Sequence, residues 1–181
     1  MHRLAVATKG SGVFILDINL LTYETKRDDH VYLQGKYITD LCELSEGLIL
    51  AASYSDCSYY LLNLKEHSES FLCKGFSPYA MGLTKLPAYA YAGEDEFPYV
   101  LAKEDDYLTV IHVRAGFALR LVNVPTHNQN HFNQRLAWVS DSTFITDEGS
   151  YFLAKYRLTD VLFKYLREVN AWAKVKGLVK Y

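Results

Sequence analysis

His127 and His131 stand four residues apart in the run THNQNH, the separation at which a helix would turn two imidazoles to one side as zinc ligands. The run follows Pro125 and is rich in Asn and Gln, so it reads as a loop, and no acidic residue or third ligand accompanies it. The acidic runs Glu94-Asp95-Glu96 and Glu104-Asp105-Asp106 offer hard oxygen ligands but lack the spaced positions and the glycine of a calcium loop. His30 follows Asp28 and Asp29, where carboxylates would let it titrate near neutrality; an exposed acidic turn explains it as well. A serine hydrolase needs a strained elbow such as GxSxG. Gly10-Ser11-Gly12 is too short for one and reads as the turn of a hairpin. Lys9 to Gly12 joins two apolar runs without the helix whose N-terminus a phosphate loop requires. The expectation is a chain without catalytic residues, metal or cofactor.

Bulk composition narrows the class. Of 181 residues, 50% are hydrophobic and 22% charged, an ordinary globular balance for one domain with a sizeable core. Tyrosine stands out with 15 copies, beside nine Phe and two Trp, and aromatic density favours strands. The formal net charge of −2, with no stripe of Lys or Arg, lacks the footprint of a protein that neutralises many phosphates, so nucleic acid is not an expected partner. Cys42, Cys57 and Cys73 form neither an even set nor a CxxC pair, which points to a reduced, intracellular and cytoplasmic setting. No apolar run of about 18 residues and no leader-like N-terminus is present, so no membrane is expected.

The elements that would position any site recur. Apolar runs begin at Leu4 (LAVAT), Leu48 (LILAAS), Tyr99 (YVLAK) and Thr143 (TFIT), at offsets of 44, 51 and 44 residues. Each is followed by a polar turn and a second run, from Val13, Tyr59, Leu108 and Leu153. A further run precedes three of the pairs, at Ile38, Ala80 and Arg135, and another follows the second and third pairs, at Ser70 and Phe117. Four short antiparallel strands per unit of about 45 residues describe a propeller blade. The spacing, the stretch Ile15-Leu16-Asp17-Ile18 where a Trp-Asp dipeptide would end a third strand, and Trp138 to Asp141 resemble WD-repeat blades over residues 4 to 158. No Trp-Asp dipeptide or Gly-His pair is present, so the family's buried hydrogen-bonding tetrad does not carry over. The resemblance implies a mainly β fold of about four four-stranded antiparallel blades, a whole or partial WD-like β-propeller, over residues 1–158. A sandwich or barrel also has short, regularly spaced strands.

Residues 159–181 break this pattern. Val161, Leu162, Tyr165, Leu166, Val169, Trp172 and Ala173 recur at helical steps, with Thr159 or Asp160 as a cap and Gly177 after the last turn, which predicts an amphipathic helix over Asp160 to Lys176. The competing reading makes Val161 to Leu166 an outer strand and Ala171 to Val175 the first strand of a truncated further blade.

In a propeller the turns between second and third strands share one rim. Here they carry Asp56, Glu104, Asp105, Asp106, Asp147 and Glu148, with Tyr54 and Tyr107 beside them. Such a rim would be a negative docking face for a basic partner with aromatic anchors, unless the carboxylates are merely solvated. Trp172 is a further candidate contact, to a partner protein or a second copy of the chain. A non-catalytic protein-interaction scaffold in a larger assembly is therefore the leading expectation. The alternative is a small-molecule or carbohydrate-binding propeller that uses Tyr89 and Tyr91 as stacking surfaces.

Overall fold

The computed structural model describes residues 2–86, 99–104, 107–125, 136–140, 142–147 and 153–157. All regular structure among them is β. The first sheet has β1 (His2–Ala7), β2 (Val13–Ile18) and β3 (Thr25–Tyr32) in sequence order. The second has β4 (Ile38–Ser45), β5 (Leu48–Ser53), β6 (Ser58–Asn63) and β7 (Ser68–Lys74), again in order. The third repeats that arrangement with β8 (Ala80–Lys85), β9 (Tyr99–Glu104), β10 (Tyr107–His112) and β11 (Phe117–Pro125). The fourth has β12 (Leu136–Ser140), β13 (Thr143–Asp147) and β14 (Leu153–Arg157). The chain divides into two compact units, Met1–Ala80 and Met81–Tyr181.

Every apolar run of the recurring pattern between Leu4 and Leu158 is a strand. One strand had no such signal. β3, TKRDDHVY, is an outer strand whose first three residues are exposed; a strand that buries little needs no apolar alternation, so periodicity misses it. The fold is thus mainly antiparallel β in groups of three or four strands. The boundary expected between residues 158 and 159, and the helix over Asp160 to Lys176 with Trp172, lie outside the described residues.

In the first unit the core lies between two sheet faces. Val13 and Ile15 of β2 and Tyr32 of β3 pack with Ile49 and Ala51 of β5 and Leu62 of β6. Alternation explains the selection, since Ala5 pairs with Ile15 and Ala7 with Val13, placing these four on one face. β5 is buried at every residue but Leu48, which is why LILAAS reads as a continuous apolar run and not an alternating one. β9 of the second unit is buried throughout, Lys103 and Glu104 included. Glu104 therefore does not stand in solvent on a rim; its carboxylate accepts the Thr109 hydroxyl at 2.8 Å inside the sheet.

A recurring turn joins the last two strands of three sheets. Asn19 Oδ1 accepts Leu21 N–H at 3.0 Å, and Asn63 Oδ1 accepts Lys65 N–H at 3.0 Å. His112 Nδ1 takes the corresponding role with Ala115 N–H at 3.3 Å. Four residues after each of these comes a left-handed residue, Tyr23 (φ 58°), His67 (φ 47°) and Gly116 (φ 69°). A side-chain acceptor followed by a left-handed residue is a self-closing hairpin end. The repeat therefore extends to turn chemistry.

Candidate functional site

The chain-reversing turns place the candidate residues at one end of the first unit's strands. Here the β5–β6 turn, residues 54–57, meets the connections that lead into β4 and β8. Tyr54 N–H donates to Tyr37 O at 2.9 Å, and Gly75 N–H donates to Cys57 O at 2.8 Å, so backbone bonds fix the turn to both connections. Tyr37 and Tyr79 each immediately precede the first strand of a four-stranded sheet, and their approach is locked by hydroxyls. Tyr37 N–H donates to Ser55 Oγ at 2.9 Å, and Tyr79 N–H donates to Ser77 Oγ at 3.1 Å.

The result is a row of three tyrosine rings. Tyr37 and Tyr54 lie 5.0 Å apart between centroids, tilted by 33°, and Tyr54 meets Tyr79 edge-on at 5.2 Å. The spacing lies in the range where aromatic pairs attract beyond their buried area. Tyr54 is exposed and the other two are partly so. At the Tyr37 end the exposed Lys9 ammonium lies 6.0 Å from the ring centroid.

Asp56, expected to stand free on a negative face, is instead knotted into the protein. Lys36 Nζ donates to its Oδ2 at 2.7 Å and the Tyr60 hydroxyl donates to the same oxygen. Its backbone carbonyl accepts Ser58 Oγ at 2.9 Å and Lys74 Nζ at 2.8 Å. Burial pushes the carboxyl up, but the hydrogen bonds from Lys36 and Tyr60 outweigh that and hold its pKa at about 2. The Asp56 hydrogen bond likewise raises the Lys36 pKa. Lys36 Nζ on the carboxylate and Lys74 Nζ on the backbone carbonyl both converge on Asp56, so among these residues cations outnumber carboxylates.

The other sequence candidates fall as follows. Tyr107 opens β10 and Asp147 closes β13, both in the second unit. Asp105, Asp106, Trp172, His127, His131, Tyr89 and Tyr91 lie outside the described residues. Tyr54 and Asp56 are brought together; Tyr37, Tyr79, Lys36 and Tyr60 were not singled out by sequence. A tyrosine directly before the first strand of two successive four-stranded sheets was the available signal. Among the described residues no group of three or more His, Cys, Asp or Glu could hold a metal ion, and no helix is long and apolar enough to cross a membrane. Cys42, Cys57 and Cys73 form no disulfide; Cys42 and Cys73 are buried and Cys57 partly so.

No family model matches the chain, and no curated protein matches it. Among solved structures the chain is similar to the computationally designed Ika4 protein, with 12% sequence identity, a TM-score of 0.49, and 88% of this chain and 87% of that chain covered.

Proposed function

We propose that the chain is a non-catalytic scaffold that binds a protein partner through the Tyr37–Tyr54–Tyr79 row, inside the cell and within a larger assembly, and that its sheets are WD-like propeller blades. Support for the blades comes from the recurring strand order and the recurring hairpin end. Support for the docking surface comes from one observation, a row of three tyrosines, one exposed and two partly exposed, on a backbone-fixed frame. Tyrosine gives large amphipathic contact area at small entropic cost, and rings held in advance lose little more on binding.

The chemistry of the row defines the partner. Asp56 is already neutralised by Lys36, so the basic partner that a carboxylate rim would attract gives way here to a loop with aromatic or apolar side chains. An acidic residue next to them would meet Lys9. Flat tyrosine faces also stack on sugar rings, which makes carbohydrate binding the second reading.

Affinity capture with wild-type chain and with the Tyr54→Ala, Tyr79→Ala double variant tests the reading. Proteins retained by the wild type should fall by about tenfold or more with the variant, as for loss of a central aromatic contact, while circular dichroism stays the same. Equal retention of the same proteins overturns the docking surface. A saturable signal for one glycan on an array, without any such protein, would transfer the row to the second reading.

A further inference from the structure

Two histidines meet where the last strand of the first sheet approaches the hairpin end of the second. His30 stands near the end of β3 and His67 between β6 and β7, both within the first compact unit. Their ring centroids lie 5.4 Å apart, with the planes inclined by 67°. Two imidazoles on one tetrahedral zinc, each with its nitrogen about 2.0–2.1 Å from the ion, place their centroids about 5 Å apart. The separation between His30 and His67 is that of a chelating pair.

Each histidine is held in place by its own element. The His30 backbone N–H donates to Asp28 Oδ1 at 3.0 Å, and its imidazole meets the buried Tyr32 ring at 4.4 Å between centroids, inclined by 71°. His67 is exposed, and its backbone is left-handed with φ 47°. The third sheet fills that place in the hairpin end with Gly116, the residue type for which the conformation is easiest. Backbone held outside its preferred region is concentrated at ligand sites, and here it carries an imidazole that faces another.

The same two elements are tied beside the histidines. Glu69 of β7 accepts the N–H of Leu33, the residue that follows β3. Burial raises the Tyr32 phenol, and the Asp28 and Glu69 carboxylates raise it further against the opposing Arg3, whose guanidinium is paired with Asp17 at 2.9 Å. A carboxylate from each element thus reaches the surroundings of the pair. That favours a cation there and offers acceptors for the imidazole nitrogens that do not bind it.

We propose that His30 and His67 bind one divalent zinc ion, through one nitrogen each, with water in the remaining positions. Imidazole is a preferred ligand of zinc and of its late first-row neighbours, and a pair of them selects against magnesium and calcium. The site needs two ligands from the chain and not three, so it agrees with the lack of any larger metal-binding group among the described residues. Because its ligands come from two sheets, the ion joins them and stabilises the first unit by as much as its binding supplies. It shares no residue with the tyrosine row, and the inference does not rest on that row.

Zinc chloride titrated into the full chain, followed by calorimetry and by the side-chain nitrogen shifts of histidine in NMR spectra, tests the site. The chain carries His127→Gln and His131→Gln, so that the run THNQNH offers no competing imidazole. Saturable one-to-one binding is expected, with large shifts at two histidines only and a melting temperature that rises with zinc. His30→Gln should weaken binding about tenfold or more, as for loss of a metal contact. His67→Gly separates binding from folding: glycine suits the left-handed position, so this variant keeps its fold and should lose the ion to the same degree. Absence of saturable binding overturns the proposal. So does zinc affinity that survives His67→Gly, since the ion would then sit on a thiol or on another imidazole.

Discussion

The Lys36 ammonium sits 2.7 Å from Asp56 Oδ2 and 4.9 Å from the centroid of the Tyr60 ring, joining the connection before β4 to the β5–β6 turn. A charge pair of this kind, partly sheltered and shared with a phenol, does two things. It fixes the turn that carries Tyr54, and it compensates the charge of a carboxylate that the sequence presents as one of a negative rim. Asp56 Oδ1 is buried without a hydrogen-bond partner, so the geometry leans on the Oδ2 contacts. Losing either donor would leave a partly buried charge poorly compensated.

Acid should therefore loosen this end of the first unit in a defined window. The Asp56 pKa falls from 3.8 unfolded to about 2 folded, so its contribution is fully present above about pH 4 and is lost as pH falls through about 2. Partial exposure of the pair limits the effect to about 2 kcal/mol at most. Urea melts of wild type and Asp56→Asn at several pH values check this. The stability difference should be largest above pH 4 and shrink towards pH 2; a difference constant across that range would contradict it.

The turns that hold the strands make an opposite pair of predictions. Gly12 has φ 88°, and a Cβ there would lie 2.7 Å from Leu33 O and closer still to Tyr32 O. Gly12→Ala should cost about 3 kcal/mol or more, the scale of backbone strain joined to a clash that cannot relax. Tyr23 has φ 58° at the place filled by Gly116 in the third sheet, and it is 81% exposed. Tyr23→Gly should leave stability unchanged or raise it by up to about 1 kcal/mol. Thermal melts of the two variants check both signs.

Legibility followed burial. β5 and β9, wrapped on both sides, announce themselves as LILAAS and YVLAKE; β3, an edge strand with four charged residues among its eight, does not. The Asp56 carboxylate was legible as a turn residue but not as an ion pair, because Lys36 is 20 residues away and only the folded register brings it close. Glu104 reads as one of three consecutive acids, and only the structure shows it pointing into the sheet towards Thr109. Tyr37 and Tyr79 repeat at the same place before successive four-stranded sheets, a period that apolar spacing does not sample.

The thiols should report the packing directly. Cys42 and Cys73 are buried, 8% and 7% exposed, while Cys57 lies partly open in the β5–β6 turn. Thiol reactivity needs access to the sulfur. Titration of the native chain with a maleimide should label Cys57 fast and the other two only on unfolding, as read by mass spectrometry of digests. Equal rates at all three would show that the first unit does not hold its β4 and β7 strands as described.

The docking role of the tyrosine row is tested most directly by a photo-cross-linking residue, p-benzoylphenylalanine, placed at position 54 and activated in cells that express the chain. The account predicts a covalent adduct with a defined protein that disappears when Tyr79→Ala is added. It also predicts no such adduct from position 21, where Leu21 is 91% exposed but far from the row in the fold's connectivity. No adduct from position 54, or the same adducts from position 21, would contradict it.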